Sequence, residues 1–422
     1  MDLKDKEYDI LVITADDHYE GLDAHGTVQV YKYLKNKLKA NCALICTRSK
    51  MLHYIEDSYA IRDFRDLPKH KKIFVSDYLD LPFDIAKSLI EENDSKLYYC
   101  SMVHNAYTAG CSYPQEMDCD KYQRPEGCYN CKWVATLNKK NNQPYGTGQE
   151  NVLLKWQMMK DFFGNEKYNK NIFYLGVSSF SINQAKKSFL FKDMKSFLTP
   201  LVNTNPCVEN IDLLLKYRKQ QNKTLLDNLQ TQNGDYKKID KICVWSAKDP
   251  RMERKGFESY IDILHMLKNK HMTDKQIGET LFICMGEVDG YKGYIPALPK
   301  GIKVVFTGLL SEEQLNHVLS AASVYCCTTL EDAGPRTVGE AAANGCPTVS
   351  YDTCVALDLV NDKSGKILEC GDIDGYAKFV HEIIKMRKTR HDKMCIEAFK
   401  CYNDYYGDVN TISKWKEAME LQ

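Results

Sequence analysis

The sequence predicts two doubly wound α/β domains, each a parallel sheet covered on both faces by helices. Short apolar runs of strand length alternate with helical patterns along both halves of the chain. The runs are apolar throughout instead of alternating with polar residues, as strands buried on both faces require. At 422 residues the chain is too long for one ordinary core, so two domains of roughly 200 residues each are expected. Two such units facing each other would leave a cleft at the carboxyl ends of both sheets, where open α/β sheets bind ligands.

Strands are expected at 9–14, 42–47, 72–76, 97–103, 171–178 and 198–202 in the first half. In the second half they are expected at 241–246, 280–285, 302–306, 323–328 and 347–351. Helical patterns lie between them. "GFESYIDILHMLKNK" (256–270) is one, and "SEEQLNHVLSAA" (311–322) is another, with Ser311 and Gln314 at capping-box spacing. A stretch rich in Asn, Gln and Lys, 216–241, has no strand and reads as a partly helical connector. The domains are therefore set at 1–203 and 241–403, with a linker over 204–240 and a terminal helix over 404–422.

Composition narrows the function. The 57 basic and 57 acidic residues cancel, so bulk charge leaves no footprint for nucleic acid or anionic lipid. The longest apolar runs, such as "ILVIT" (10–14), are far short of the roughly 20 residues of a membrane span. "MDLKDKEYD" is charged and runs straight into a strand, so it does not read as a secretory signal. Peripheral membrane contact at the cytoplasmic face stays open. The 17 cysteines mostly sit singly in apolar strands, where they read as small buried hydrophobes. Their odd number and scatter point to a reducing compartment, hence a cytoplasmic location.

The stretch "EDAGPRTVGEAAANG" (331–345) concentrates the chemistry. "SVYCCTT" (323–329) is a buried strand, "LEDAGP" the loop at its carboxyl end, and "RTVGEAAAN" a helix opening near Pro335 or Arg336. Gly345 closes that helix. Free backbone N–H groups at the helix start, with Gly334 allowing close approach, make a ready anion site. Asp332 before the turn and Glu340 inside the helix offer carboxylate acceptors for sugar or ribose hydroxyls.

This segment resembles the family 4 retaining glycosyltransferases of GT-B fold. Their signature is a Glu, seven residues and a second Glu, spanning a Gly- and Pro-containing turn ahead of an Ala-rich helix and a Gly. Asp332 and Glu340 have that spacing here, with Asp replacing the first Glu and Glu331 one residue out of register. "CPTVSYDTCVALDLVNDKSGKIL" (346–368) is similar to the family's continuation. The resemblance implies that Glu340 binds the nucleotide ribose and Asp332 the sugar hydroxyls. It implies that the backbone of Gly334, Pro335, Arg336, Thr337 and Val338 holds the phosphates. In "VWSAKDPRMERKGFESYIDIL" (244–264), Lys255 matches the lysine that neutralises the donor diphosphate. The family's arginine after this strand is missing at Ala247-Lys248, so Arg254 or Lys248 is its substitute. "FTGLLSEEQL" (306–315) resembles the loop framing the nucleotide base, through Gly308, Leu309 and Leu310.

The first half carries fewer signals. "ILVITADDHYEGLDAHGTVQVYKYLKNKL" (10–38) is a strand, a glycine-bearing loop and a helix, but not G-x-G-x-x-G. By resemblance, Gly21, His25 and Gly26 would touch the donor phosphates and the acceptor. His104, after the strand "LYYCSMVH", would reach the donor sugar. Cys111, Cys119, Cys128 and Cys131 follow as C-x7-C-x8-C-x2-C. Four thiolates ending in C-x-x-C suit a structural zinc, with a disulfide pair or four unrelated thiols as the alternatives. The layout resembles bacterial and viral polysaccharide-type transferases with a cysteine-rich insertion.

The family likeness thus implies a retaining enzyme. It would move a hexose-type sugar from a UDP- or GDP-linked donor to a glycan, glycoconjugate or other hydroxyl acceptor. It places the acceptor in the first domain and the donor in the second, with the terminal helix folded back on the first. No catalytic metal and no nucleic acid are expected. Catalysis would rest on Lys255, Arg336, Asp332 and His104. Two other classes stay open. One is a non-catalytic sugar-nucleotide-binding scaffold, and the other a dinucleotide-dependent oxidoreductase or epimerase, which the missing glycine fingerprint disfavours. Sugar, base, acceptor, linkage and oligomeric state are not readable from the sequence.

Overall fold

A computed structural model describes residues 3–14, 26–47, 56–76, 81–101, 104–115, 118–140, 148–200, 208–231, 236 and 238–421. The chain divides into two compact units, Met1–Val202 with Asp408–Gln422, and Asn203–Gly407.

The first unit holds a seven-stranded sheet. Its strands are β1 (Ile10–Thr14), β2 (Cys42–Cys46), β3 (Ser58–Ala60), β4 (Lys72–Val75), β5 (Lys96–Ser101), β6 (Ile172–Gly176) and β7 (Ser196–Leu198). They lie in the order β3-β2-β1-β4-β5-β6-β7, and every pair is parallel. Ile10 of β1 pairs with Cys42 on one side and Lys72 on the other, so the chain reverses its direction of travel between β1 and β4. β1 and β2 are buried along their whole length because "ILVIT" and "CALIC" put apolar side chains on both faces. Trp156, Phe162 and Phe163 of the Gln149–Phe163 helix pack into the same core. The Asp408–Met419 helix belongs to this unit, and its Trp415 indole donates to the Pro200 carbonyl at 3.0 Å.

The second unit holds six parallel strands. They are β8 (Lys241–Ser246), β9 (Thr280–Met285), β10 (Lys303–Phe306), β11 (Val324–Cys327), β12 (Thr348–Tyr351) and β13 (Gly365–Leu368), in the order β10-β9-β8-β11-β12-β13. The direction of travel reverses between β8 and β11, which is the switch point where open α/β sheets bind ligands. Trp245, Phe257, Tyr260 and Tyr291 form the aromatic centre of its core.

Two strands differ from the sequence expectation by being present at all. β3 and β13 are short edge strands whose residues are largely half-exposed, so they lack the continuous apolar run that marks the others. β7 lies at Ser196–Leu198, ahead of the expected 198–202. The stretch expected as a connector holds a 21-residue helix, Ile211–Thr231, that packs on the Glu312–Ala321 and Lys388–Tyr406 helices of the second unit.

Candidate functional site

The loops after β8 and β11 carry the site, because these strands are neighbours on either side of the switch point. Thr328 ties the two loops together. Its hydroxyl accepts from the Trp245 indole at 2.8 Å and donates to the Gly256 carbonyl at 2.8 Å. The Leu330 amide donates to the Arg254 carbonyl at 2.8 Å. Gly256 sits at φ +66°, and a Cβ there would lie 2.0 Å from the Thr328 carbonyl oxygen. Only glycine permits this approach.

The tied loops bring Arg254, Lys255 and Asp332 together. Asp332 Oδ2 accepts from Arg254 Nη1 at 2.8 Å and from Lys255 Nζ at 2.6 Å. Asp332 Oδ1 accepts from the Gly334 amide at 3.1 Å. The three side chains keep only 12%, 16% and 15% of their surface in solvent. Burial pushes the Asp332 carboxyl up, but the adjacent Lys255 and Arg254 charges and the Gly334 N–H outweigh it and hold it below the usual carboxylate range. Two cations share one anion, so the cluster carries an excess positive charge in a place with little water to screen it.

The Arg336–Ala343 helix begins immediately beyond, with Pro335 at its N-cap and no side-chain cap. The helix start follows directly on the loop holding Asp332 and Gly334, and its Val338 amide donates to the Pro335 carbonyl at 3.2 Å. The helix is buried from Val338 through Ala343. Glu340 is buried on the same helix, with its Oε1 3.9 Å from Arg336 Nη2. Arg336 itself is exposed. Gly345 at φ +61° ends the segment, as the sequence indicated.

Two further loops join. The Gly286 amide after β9 donates to the Gly308 carbonyl after β10 at 3.1 Å, and the Glu287 amide donates to the Lys248 carbonyl at 2.9 Å. Gly308 and Leu310 are thus linked by backbone to the loop that carries Lys255. Leu310 precedes the Ser311 N-cap, whose capping box with Gln314 is formed.

The first unit's candidates are placed differently. His104 is almost fully buried, with Nδ1 hydrogen-bonded to the Tyr107 hydroxyl and its ring against Tyr113 and Phe180. Gly26 opens the Gly26–Asn36 helix, and Gly21 and His25 lie outside the described residues.

The described residues give the expected zinc site no support. Cys111, Cys119, Cys128 and Cys131 do line one small cavity of about 20 Å³, and all four are free thiols. Burial pushes the Cys128 thiol up to about 12. Among the described residues no group of three or more His, Cys, Asp or Glu is placed to hold a metal.

Sequence reasoning missed Arg218. This buried side chain of the Ile211–Thr231 helix donates to the Asn344 carbonyl at 2.6 Å and to the Ala322 carbonyl. It satisfies the carboxyl ends of both helices whose amino ends face the site loops. Nothing in the polar 216–241 stretch distinguishes Arg218 from its lysine neighbours.

Residues 250–398 match the family model for glycosyl transferases group 1. No curated protein matches in sequence. A glycosyltransferase from Rickettsia africae is similar in structure, with a TM-score of 0.60, 13% identity, and coverage of 99% of this chain and 100% of that one. Sucrose-phosphate synthase from Thermosynechococcus elongatus gives 0.59 and 13%, covering 98% of each chain. Anabaena HepE, solved with UDP-glucose, gives 0.56 and 12%, covering 98% of this chain and 99% of that one. The chain spans 56% of the length of two further matched structures, from S. aureus and pneumococcus. The two parallel-sheet units and these neighbours establish the GT-B fold.

Proposed function

We propose that this GT-B chain transfers a hexose-type sugar, with retention, from a nucleoside diphosphate to a hydroxyl of a glycan or glycoconjugate. The observation that carries the reading is the Arg254–Lys255 pair, held by Asp332 at the switch point beside the start of the Arg336–Ala343 helix. Two fixed cations beside a helix N-terminus suit a diphosphate. The match of residues 250–398 to glycosyl transferases group 1 and the UDP-glucose bound by HepE support the choice of ligand.

In this reading Lys255, Arg254 and Arg336 stabilise the charge that grows on the leaving diphosphate. The leaving phosphate takes the acceptor's proton as the acceptor attacks from the same face. That route needs neither a protein nucleophile nor a catalytic metal. Glu340 receives the ribose hydroxyls. Gly308 and Leu310 frame the base. Asp332 first positions both cations, and its remaining lone pairs accept from the sugar. His104 is assigned to the donor sugar, and Gly21, His25 and Gly26 to phosphate and acceptor. The chain is placed in the cytoplasm.

Calorimetric titration with UDP and GDP tests the site. One of them is expected to bind, and Glu340→Gln should weaken it by about tenfold, the scale of one buried charged hydrogen bond. Unchanged affinity in that variant would remove the ribose assignment. No binding of either nucleotide would remove the function. Release of free sugar from the matching nucleotide sugar distinguishes an enzyme from a binding scaffold.

A further inference from the structure

One wide cavity of the described residues lies in the first unit and plays no part in the proposed transfer. It is a groove of about 930 Å³ between the end of the Gln149–Phe163 helix, the start of β6 and the approach to β7. That volume is within the range of small-molecule sites, roughly 300–1,000 Å³. Ile172 and Phe173 begin β6, and Lys195 directly precedes β7. The groove therefore opens at the amino ends of the strands, on the opposite edge from the loops that follow β1, β4 and β5.

Its charge is lopsided. Lys87, Lys160, Lys170, Lys192 and Lys195 line it, against Asp161 and Asp193. The whole chain is neutral, so this local excess departs from the average. The two acids do little to offset it. Lys192 and Asp193 approach only to 3.9 Å, both largely exposed. Among the described residues no ion pair engages Lys87, Lys170 or Lys195. Aromatic rings lie beside four of the five ammonium groups. Lys160 and Lys192 sit 5.4 and 5.0 Å from the centre of the Phe189 ring. Lys195 lies 5.8 Å from Phe173, and Lys87 lies 5.7 Å from Tyr168. Clustered like charges repel, and a bound anion relieves that repulsion. Lysine is a point-charge binder of phosphate.

We propose that this groove binds a small soluble compound carrying two or more phosphate groups, at a site separate from the sugar donor's. The ligand's phosphates sit among the lysine ammonium groups, with Phe189 as the floor between Lys160 and Lys192.

Calorimetry of the full chain with inorganic tripolyphosphate tests the claim. Binding at one groove site is expected, weakening as sodium chloride is added. The triple variant Lys160→Glu, Lys192→Glu, Lys195→Glu should bind roughly tenfold more weakly or worse, the sum of three exposed charge contacts. Lys275→Glu, on the other unit, should bind as the parent does. The single variant Lys192→Gln, at an exposed position, should show a smaller loss in the same direction and guards against a triple variant that fails to fold. Lys255→Ala should keep groove binding. If Lys255→Ala abolishes tripolyphosphate binding while the triple variant retains it, the anion belongs to the donor site and the proposal falls. It falls equally if tripolyphosphate does not bind but the chain sediments with phosphatidylcholine vesicles that are one-fifth phosphatidylserine. That result would make the groove a membrane contact.

Discussion

Asp332 accepts hydrogen bonds from a guanidinium, an ammonium and a backbone amide at once. Losing its charge would leave Arg254 and Lys255 to repel each other in a mostly dry site. The pH consequence has a definite sign. The folded carboxyl titrates below its unfolded value, so its contribution to stability is complete above the unfolded pKa of about 3.9 and fades as pH falls through the folded one. Asp332→Asn should therefore be less stable than the parent near neutrality, by about 1–3 kcal/mol in urea unfolding. The difference should shrink below about pH 4. A gap that stays constant into acid would show that the charge is not what matters. For Lys255, removal of a contact that strengthens as the diphosphate leaves should cost about 2.7–4 kcal/mol of barrier, with kcat falling on the order of 10²–10³. Steady-state kinetics of Lys255→Ala check this, and near-parental turnover would end its proposed role. Asp332 and Glu340 were legible as carboxylates around the 331–345 turn, and Lys255 through the family resemblance of the segment 244–264. That Asp332 holds the two cations was not legible, because Asp332 and Lys255 are 77 positions apart in sequence.

Among elements, the turn from Arg254 to Gly256 places the cations, and its shape depends on Gly256. An alanine there would take a left-handed φ and press its Cβ on the Thr328 carbonyl. Gly256→Ala should cost about 2–4 kcal/mol, the sum of the dihedral and overpacking terms, measured by urea unfolding. An alanine variant as stable as the parent would mean that the two loops separate easily. The helices around the site were readable where local chemistry marks their ends. Ser311 and Gln314 form the capping box their spacing suggested, Pro335 caps the Arg336–Ala343 helix, and Gly345 closes that segment. β3 and β13 were unreadable because an edge strand buries little, and a half-exposed run such as "SYA" or "GKIL" looks like any loop. The Ile211–Thr231 helix was obscured by its polar sequence, since only a few positions, Leu214 and Arg218 among them, are buried.

For the whole molecule, the first unit is assembled from two separate stretches of chain, and its last helix adds one large anchor. Trp415 is fully buried, 6.1 Å from the Tyr33 ring and 6.2 Å from the Phe74 ring by their centres. Trp415→Ala should cost about 3–5 kcal/mol. Hydrogen exchange should show the loss in β4, which carries Phe74, and in β1, which pairs with it, and leave β8 and β11 protected. Equal loss in all four strands would mean that the tail stabilises more than the unit it packs on. The sequence by itself determined the class of fold, because strands apolar on both faces have to be covered by helices on both sides. It also marked the 331–345 turn as a candidate anion site, because helix termini and glycine act over a few residues. Tertiary structure alone decided which charges meet, which helix ends Arg218 satisfies, and that four cysteines spread over 111–131 line one cavity. Those outcomes depend on distances between residues remote in the chain, and packing sets such distances to tenths of an ångström, beyond what spacing along a sequence can specify.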